Sequence, residues 1–238
     1  MNRQEELEET LAQVKSEIAE AAQVAGRDPA EIHLVAVSKT YPAEDLAILH
    51  GLGCHRFGEN RVQELLPKME ELEESLGAGA IQWDLIGTLQ RNKVKYIAGK
   101  VELIHSVDRL SLAEEIQRIC KRDDLRQDVL LQVNISGEES KHGLEEEDEL
   151  KELVDAVLAM ENLRLRGLMT MAPYTDNPEA VMPIFERCRE LFEMIRGRAG
   201  EDFDSLSMGM SQDFTQAIRA GATHVRVGSR IFGKRNYA

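Results

Sequence analysis

Near the start of the chain, apolar residues recur at intervals of three and four: Leu7, Leu11, Val14, Ile18 and Ala22. That spacing predicts an amphipathic helix, closed by Gly26 and followed by a turn at Asp28-Pro29. Beyond the turn the pattern alternates. Short β-rich runs fall at 32–38, 54–58, 81–87, 101–107, 129–135, 163–172, 204–210 and 224–228. Helical stretches lie between them, at 42–51, 60–76, 89–98, 110–121, 145–160, 178–198 and 211–220, and a short tail follows the last run. Strands alternating with helices make a parallel sheet, and eight such units close most simply into a (β/α)8 barrel. The expected fold is therefore α/β, a single TIM barrel with an extra N-terminal helix. An open doubly wound sheet is the alternative.

The length of 238 residues suits that barrel as one domain spanning 1–238. With 42% apolar and 30% charged residues, the chain can bury a sizeable core. The net charge of −14 argues against a nucleic-acid partner and against an anionic membrane surface, but leaves room for a local basic pocket. Cys54, Cys120 and Cys188 are far apart and form no C-x-x-C pair, which predicts a reducing cytoplasm without disulfides or zinc. Glu5, Glu6, Glu8 and Glu9 make the N-terminus too acidic for a secretory signal, and no apolar run is long enough to cross a bilayer. The run 145–149 reads as the solvated start of a helix.

Barrels carry their chemistry at the C-terminal ends of the strands, often with a phosphate after strands seven and eight. The last β-rich run breaks at Gly228-Ser229, where a glycine lets backbone N–H groups face a ligand and a serine adds a hydroxyl. This pair, with Ser207, suits a phosphate; a plain glycine turn into a last helix is the other reading. Five residues follow Gly233, so no second domain is expected after it. Arg226 shares a strand face with Gly228 and needs a partner there, whether a ligand or a structural ion pair. Lys39 directly follows the β-rich run 32–38. At a barrel mouth its amine is either a desolvated nucleophile that can join an aldehyde, or simply exposed. Asn60 and Ser211 are each a helix N-cap or a ligand contact. The histidines show no metal-ligand spacing, and no G-x-S-x-G elbow is present.

Six segments, in order, carry a resemblance. They are Val35-Ala36-Val37-Ser38-Lys39-Thr40, Phe57-Gly58-Glu59-Asn60-Arg61-Val62-Gln63-Glu64 and Ile86-Gly87-Thr88-Leu89-Gln90-Arg91-Asn92-Lys93. The others are Gly167-Leu168-Met169-Thr170-Met171, Leu206-Ser207-Met208-Gly209-Met210-Ser211-Gln212-Asp213 and Val225-Arg226-Val227-Gly228-Ser229. Over nearly its whole length the chain resembles the pyridoxal phosphate homeostasis proteins, the YggS/PROSC family. The resemblance implies the barrel of the alanine racemase N-terminal domain, a fold-type III pyridoxal 5′-phosphate (PLP) protein. It places Lys39 on the Schiff-base lysine, Arg226 opposite the pyridine nitrogen, Ser207, Gly228 and Ser229 on the phosphate, and Asn60 near the cofactor. Two departures stand out. Asp84 replaces a usual histidine and His142 a common serine, and both are expected to alter a surface that a partner reads.

An arginine opposite the ring nitrogen disfavours its protonation and weakens the cofactor as an electron sink. Racemases of this fold add a tyrosine base from another domain. Here the tyrosines are Tyr41, Tyr96, Tyr174 and Tyr237, and nothing in the sequence pairs one with Lys39. The resemblance thus points to a PLP carrier, a monomer that buffers the aldehyde and delivers it to apo PLP-dependent enzymes. A PLP-dependent amino-acid racemase-like enzyme and a PLP-free barrel acting on a phosphorylated metabolite are the alternatives.

Overall fold

The computed structural model describes residues 2–136 and 143–233. His142 and Tyr237 lie outside the described residues. Eight parallel strands pair in chain order and close into a barrel. They are β1 (His33–Val37), β2 (Arg56–Glu59), β3 (Gln82–Leu85), β4 (Leu103–Val107), β5 (Gln127–Val133), β6 (Leu163–Thr170), β7 (Ser205–Met210) and β8 (His224–Val227). The last strand meets the first in the register His33 to His224 through Ala36 to Val227, so the sheet has no open edge. This is the expected barrel, not the doubly wound sheet.

Helices wrap the barrel: α1 (Arg3–Val24), α2 (Ala43–Gly51), α3 (Val62–Leu76), α4 (Val94–Ile97), α5 (Leu110–Arg122), α6 (Glu147–Leu158), α7 (Met182–Ala199), α8 (Phe214–Arg219) and α9 (Ser229–Phe232). Helix α1 opens with a capping box in which Asn2 and Glu5 bond each other's backbone N–H. Its apolar stripe, including Leu7, Leu11 and Val14, is buried as the spacing predicts. It lies across the β8–β1 seam, where Thr10 donates to the Ile231 carbonyl at 2.7 Å and Arg27 to Ala222 at 2.7 Å. Arg3 forks onto Asp45 of α2.

Three helices differ from expectation. The stretch 89–98 is a 3-10 turn, Arg91–Lys93, running into the four-residue α4, and Gly99 then turns away at φ +72°. The stretch 178–198 begins as a 3-10 turn that Asn177 caps before α7 starts at Met182. The helix expected from 211 starts only at Phe214. Ser211 and Asp213 instead hold loop backbone, accepting the Gly228 and Met210 N–H groups. The expected tail after the last strand contains the short helix α9.

The core has two compartments. A large apolar layer fills the space between strands and helices. Inside the barrel, a small plug of Leu103, Leu130 and Met169 is backed by Met171. Much of the remaining interior is polar. Asp84, His105, Ser207, His224 and Arg226 are all buried. Asp84, expected on a surface that a partner reads, is instead completely buried and faces no partner surface.

Candidate functional site

Cavities open at both mouths of the barrel. The one at the strand starts, about 360 Å³, is rich in charges already matched to each other. Arg56 forks onto Asp84, and Arg166 bridges Asp128 and Asp204 at 2.8 and 2.6 Å. The other, about 290 Å³, lies at the strand ends, where barrel geometry assembles chemistry from loops. Its lining includes Lys39, Asn60, Ser211, Arg226, Gly228 and Ser229.

Lys39 follows β1 and is half-buried. The loop that carries it is set by Thr40, whose φ of +70° is unusual for a branched residue. Glu64 of α3 accepts the Thr40 N–H at 2.9 Å and holds that turn. On the far side, Tyr41 stacks on Phe232 of α9 with ring centroids 4.6 Å apart and donates to the Gly233 carbonyl at 2.7 Å. Behind Lys39, Ser38 donates to the buried Glu59 carboxylate at 2.8 Å, and Lys68 bridges that carboxylate to the Ser38 carbonyl. The neighbours of Lys39 along the chain are thus fixed on three sides.

Gly228 begins the opposite wall. Its φ is −117°, so it is not needed for a left-handed turn. It allows a close approach, because an added Cβ would sit tightly, 3.1 Å from the Val37 carbonyl oxygen and 3.2 Å from Val37 Cβ. The loop after β8 is therefore pressed onto the end of β1. Its N–H donates to Ser211 Oγ at 3.2 Å, joining the loops after β7 and β8. In α9 the Ile231 and Phe232 N–H groups bond the Gly228 carbonyl, which leaves those of Ser229 and Arg230 at the helix start, an arrangement that suits an anion.

Arg226 forms the floor. Its guanidinium is buried and donates to Ser207 Oγ at 2.6 Å and to the Thr170 carbonyl at 2.9 Å. Burial pushes it down to about 10. It remains a cation at neutral pH, without a carboxylate bonded to it among the described residues. Asp213 also lines the cavity, and burial raises its carboxyl.

The structure brings Lys39, Asn60, Arg226, Gly228 and Ser229 around one cavity. Ser207 stands apart from the lining. It is completely buried between Arg226 and His105, whose Nδ1 is 2.9 Å from its hydroxyl. His105 Nε2 lies 3.2 Å from Asp84 Oδ2, off the line of a hydrogen bond, so that contact is chiefly electrostatic. His105, Asp84, Arg56 and Thr170 were not singled out as working residues by the sequence reading. The available signal was polarity at every second position of β-rich runs, as in Gln82-x-Asp84, Ser205-x-Ser207 and His224-x-Arg226. Parallel strands buried on both faces are otherwise nearly all apolar.

A primary amine, a buried cation, small residues and hydroxyls around a cavity of this size fit a phosphorylated aromatic aldehyde. The described residues include no cluster of three metal-ligating side chains, and no helix among them is long and apolar enough to cross a membrane. The family model for the alanine racemase N-terminal domain matches residues 10–236. The pyridoxal phosphate homeostasis protein of Aquifex aeolicus is 45% identical over 229 residues, covering 96% of this chain and 98% of that protein. The protein of the same name from Pseudomonas aeruginosa is 46% identical over 231 residues, covering 96% of each. Among solved structures, PipY of Synechococcus elongatus with PLP bound superimposes with a TM-score of 0.79 at 32% identity, over 91% of this chain and all of that one. With the barrel, the family model and the full-length likeness in agreement, the chain belongs to the pyridoxal phosphate homeostasis family, built on the alanine racemase N-terminal domain fold.

Proposed function

We propose that this protein binds PLP at the strand-end mouth of its barrel and serves vitamin B6 homeostasis, holding and releasing the cofactor instead of turning over a substrate. The observation that carries the reading is the convergence of Lys39, Arg226 and the Gly228-Ser229 loop on one cavity. Bound PLP would supply a reactive aldehyde on a pyridine ring. Lys39 would offer the amine for covalent attachment, and Arg226 would face the ring nitrogen. A guanidinium there donates hydrogen bonds and gives no proton to the ring, which suits storage better than carbanion chemistry. The backbone at Gly228-Ser229 would hold the phosphate, with Ser211 bracing that loop and Asn60 closing the wall beside Lys39. Tyr41 is committed to Gly233, while Tyr174, 75% exposed, sits at the cavity's rim. The curated relatives named above carry a homeostasis name.

We further take the chain to work as one domain and a monomer in the cytoplasm, handing PLP to apo PLP-dependent enzymes. Loading with PLP, borohydride reduction and peptide mass mapping test the site. A phosphopyridoxyl label on Lys39 alone is expected; scattered labelling would overturn it. Loaded protein should reactivate an apo-enzyme at concentrations where the same total PLP is otherwise scavenged. Elution at twice the chain mass in size-exclusion chromatography would overturn the monomer.

A further inference from the structure

A buried column of polar groups runs through the barrel from the strand-start mouth to the floor of the cofactor cavity. Arg56 holds Asp84 through Nε at 2.7 Å and Nη2 at 3.1 Å. Asp84 faces His105 Nε2, His105 Nδ1 meets the Ser207 hydroxyl, and Ser207 receives Arg226. Isolated inside a barrel, groups of this kind are costly, and an apolar filling of similar volume is often as stable or more so.

We propose that His105, held by Asp84, is a positioning residue for the cofactor, fixing Arg226 at the cavity floor through the Ser207 hydroxyl. A serine hydroxyl has one hydrogen and two lone pairs. Arg226 takes a lone pair, so the hydroxyl hydrogen needs an acceptor elsewhere, and Nδ1 of His105 is that acceptor. Nδ1 accepts only if the ring is neutral with its proton on Nε2, the nitrogen that faces the Asp84 carboxylate. A proton on Nδ1 would take the second lone pair and leave the hydroxyl hydrogen without either neighbour to accept it. The groups facing His105 are Asp84 from β3, Ser207 from β7, Arg226 and His224 from β8, and Arg56 from β2. Burial keeps the ring neutral, aided by the two arginines and opposed by Asp84. The tautomer, set at one end of the column, thus dictates which way a hydroxyl points at the other.

The inference rests on the PLP reading above, and its test separates the two. His105→Leu keeps the bulk and removes the acceptor; His105→Gln keeps an acceptor. PLP affinity and the pH dependence of the bound cofactor's visible band are measured for both and for the wild type. His105→Leu should bind PLP about tenfold more weakly, the effect of about 1.4 kcal/mol, and shift the pH profile of the band. His105→Gln should restore both. A purely structural role would alter melting alone, so wild-type affinity and profile in His105→Leu would overturn the proposal and leave the PLP reading standing. A wild-type protein that takes up no PLP would overturn both. If His105→Leu does not fold, nitrogen NMR of the wild type decides. A proton on Nε2 and none on Nδ1 at pH 7 supports the proposal, and a proton on Nδ1 sinks it.

Discussion

Acid should destabilise this barrel well above the carboxylate range, because of the imidazoles buried within it. His105 and His224 are 0% and 4% exposed. Burial pushes both below the ordinary histidine value, His224 well below it, with Arg56 adding repulsion at each. In the unfolded chain each ring gains a proton as pH falls through about 6.5. In the folded chain it does not until the solution is more acid. Just below pH 6.5 the unfolded state therefore holds more protons, and stability falls with pH. For a ring that stays neutral in the fold, the loss is about 1.4 kcal/mol per pH unit below 6.5, so the pair should cost at most roughly 3 kcal/mol between pH 7.5 and 5.5, with His105 giving less than His224 because Asp84 opposes its shift. His33 is shifted the same way by burial but is more exposed, and adds less. Asp84 acts elsewhere. Burial raises its carboxyl, but His105 and Arg56 outweigh that and hold it low. Its contribution is present above the unfolded value near 3.9 and is lost only in stronger acid. Asp213, raised by burial, works in the opposite direction, its contribution to stability rising as pH falls. Urea unfolding followed by circular dichroism at pH 7.5, 6.5 and 5.5, at constant ionic strength, measures the slope. His224→Gln should remove at least half of it. A free energy of unfolding that stays flat across this range would refute the argument.

Other substitutions should separate scaffold from site. Gly209→Ala should cost about 3 kcal/mol or more, because Gly209 has φ +89° and its Cβ would lie 2.5 Å from Ala217 Cβ and 2.9 Å from Phe214 Cα; a melting temperature within a degree of wild type would contradict this. Arg226→Met removes a buried cation together with its two bonds to Ser207 and Thr170, so stability should move by less than about 2 kcal/mol while PLP retention in equilibrium dialysis collapses; retained PLP would contradict the placement of Arg226 at the cofactor. Lys39→Ala, beyond the end of β1 and half-buried, should leave stability within about 1 kcal/mol yet abolish borohydride-trapped label; early melting would show that the lysine also supports the fold.

The barrel was legible because alternating runs and helical spacings report burial, and burial is what closes the ring. Lys39, Asn60, Arg226, Gly228 and Ser229 were legible as strand-end residues once eight strands were counted. Helix starts at 178 and 211 were misread because side chains of Asn177, Ser211 and Asp213 bond nearby backbone, a competition that apolar spacing does not register. The inward face of the barrel was missed for a different reason. Whether Asp84 or His105 points to helices or to the barrel axis depends on strand phase, and one residue of slip exchanges the two faces. Asp84, expected on a partner-facing surface because it departs from the family pattern, has its carboxylate locked against Arg56 in the interior.

The seam between β8 and β1 gives the cavity a place in time as well as in space. Tyr41 and Gly233, which meet across it, are 192 residues apart in sequence. Helix α1 bonds to Ile231 in α9, 221 residues later in the chain. A chain still emerging from the ribosome has the lysine long before it has the loop that faces it, so a half-made barrel has no pocket in which to hold a reactive aldehyde. Once the ring shuts, any ligand gripping both loops adds its binding free energy to the seam. Occupancy and closure then reinforce each other, and a measured cofactor signal counts only molecules that have finished folding.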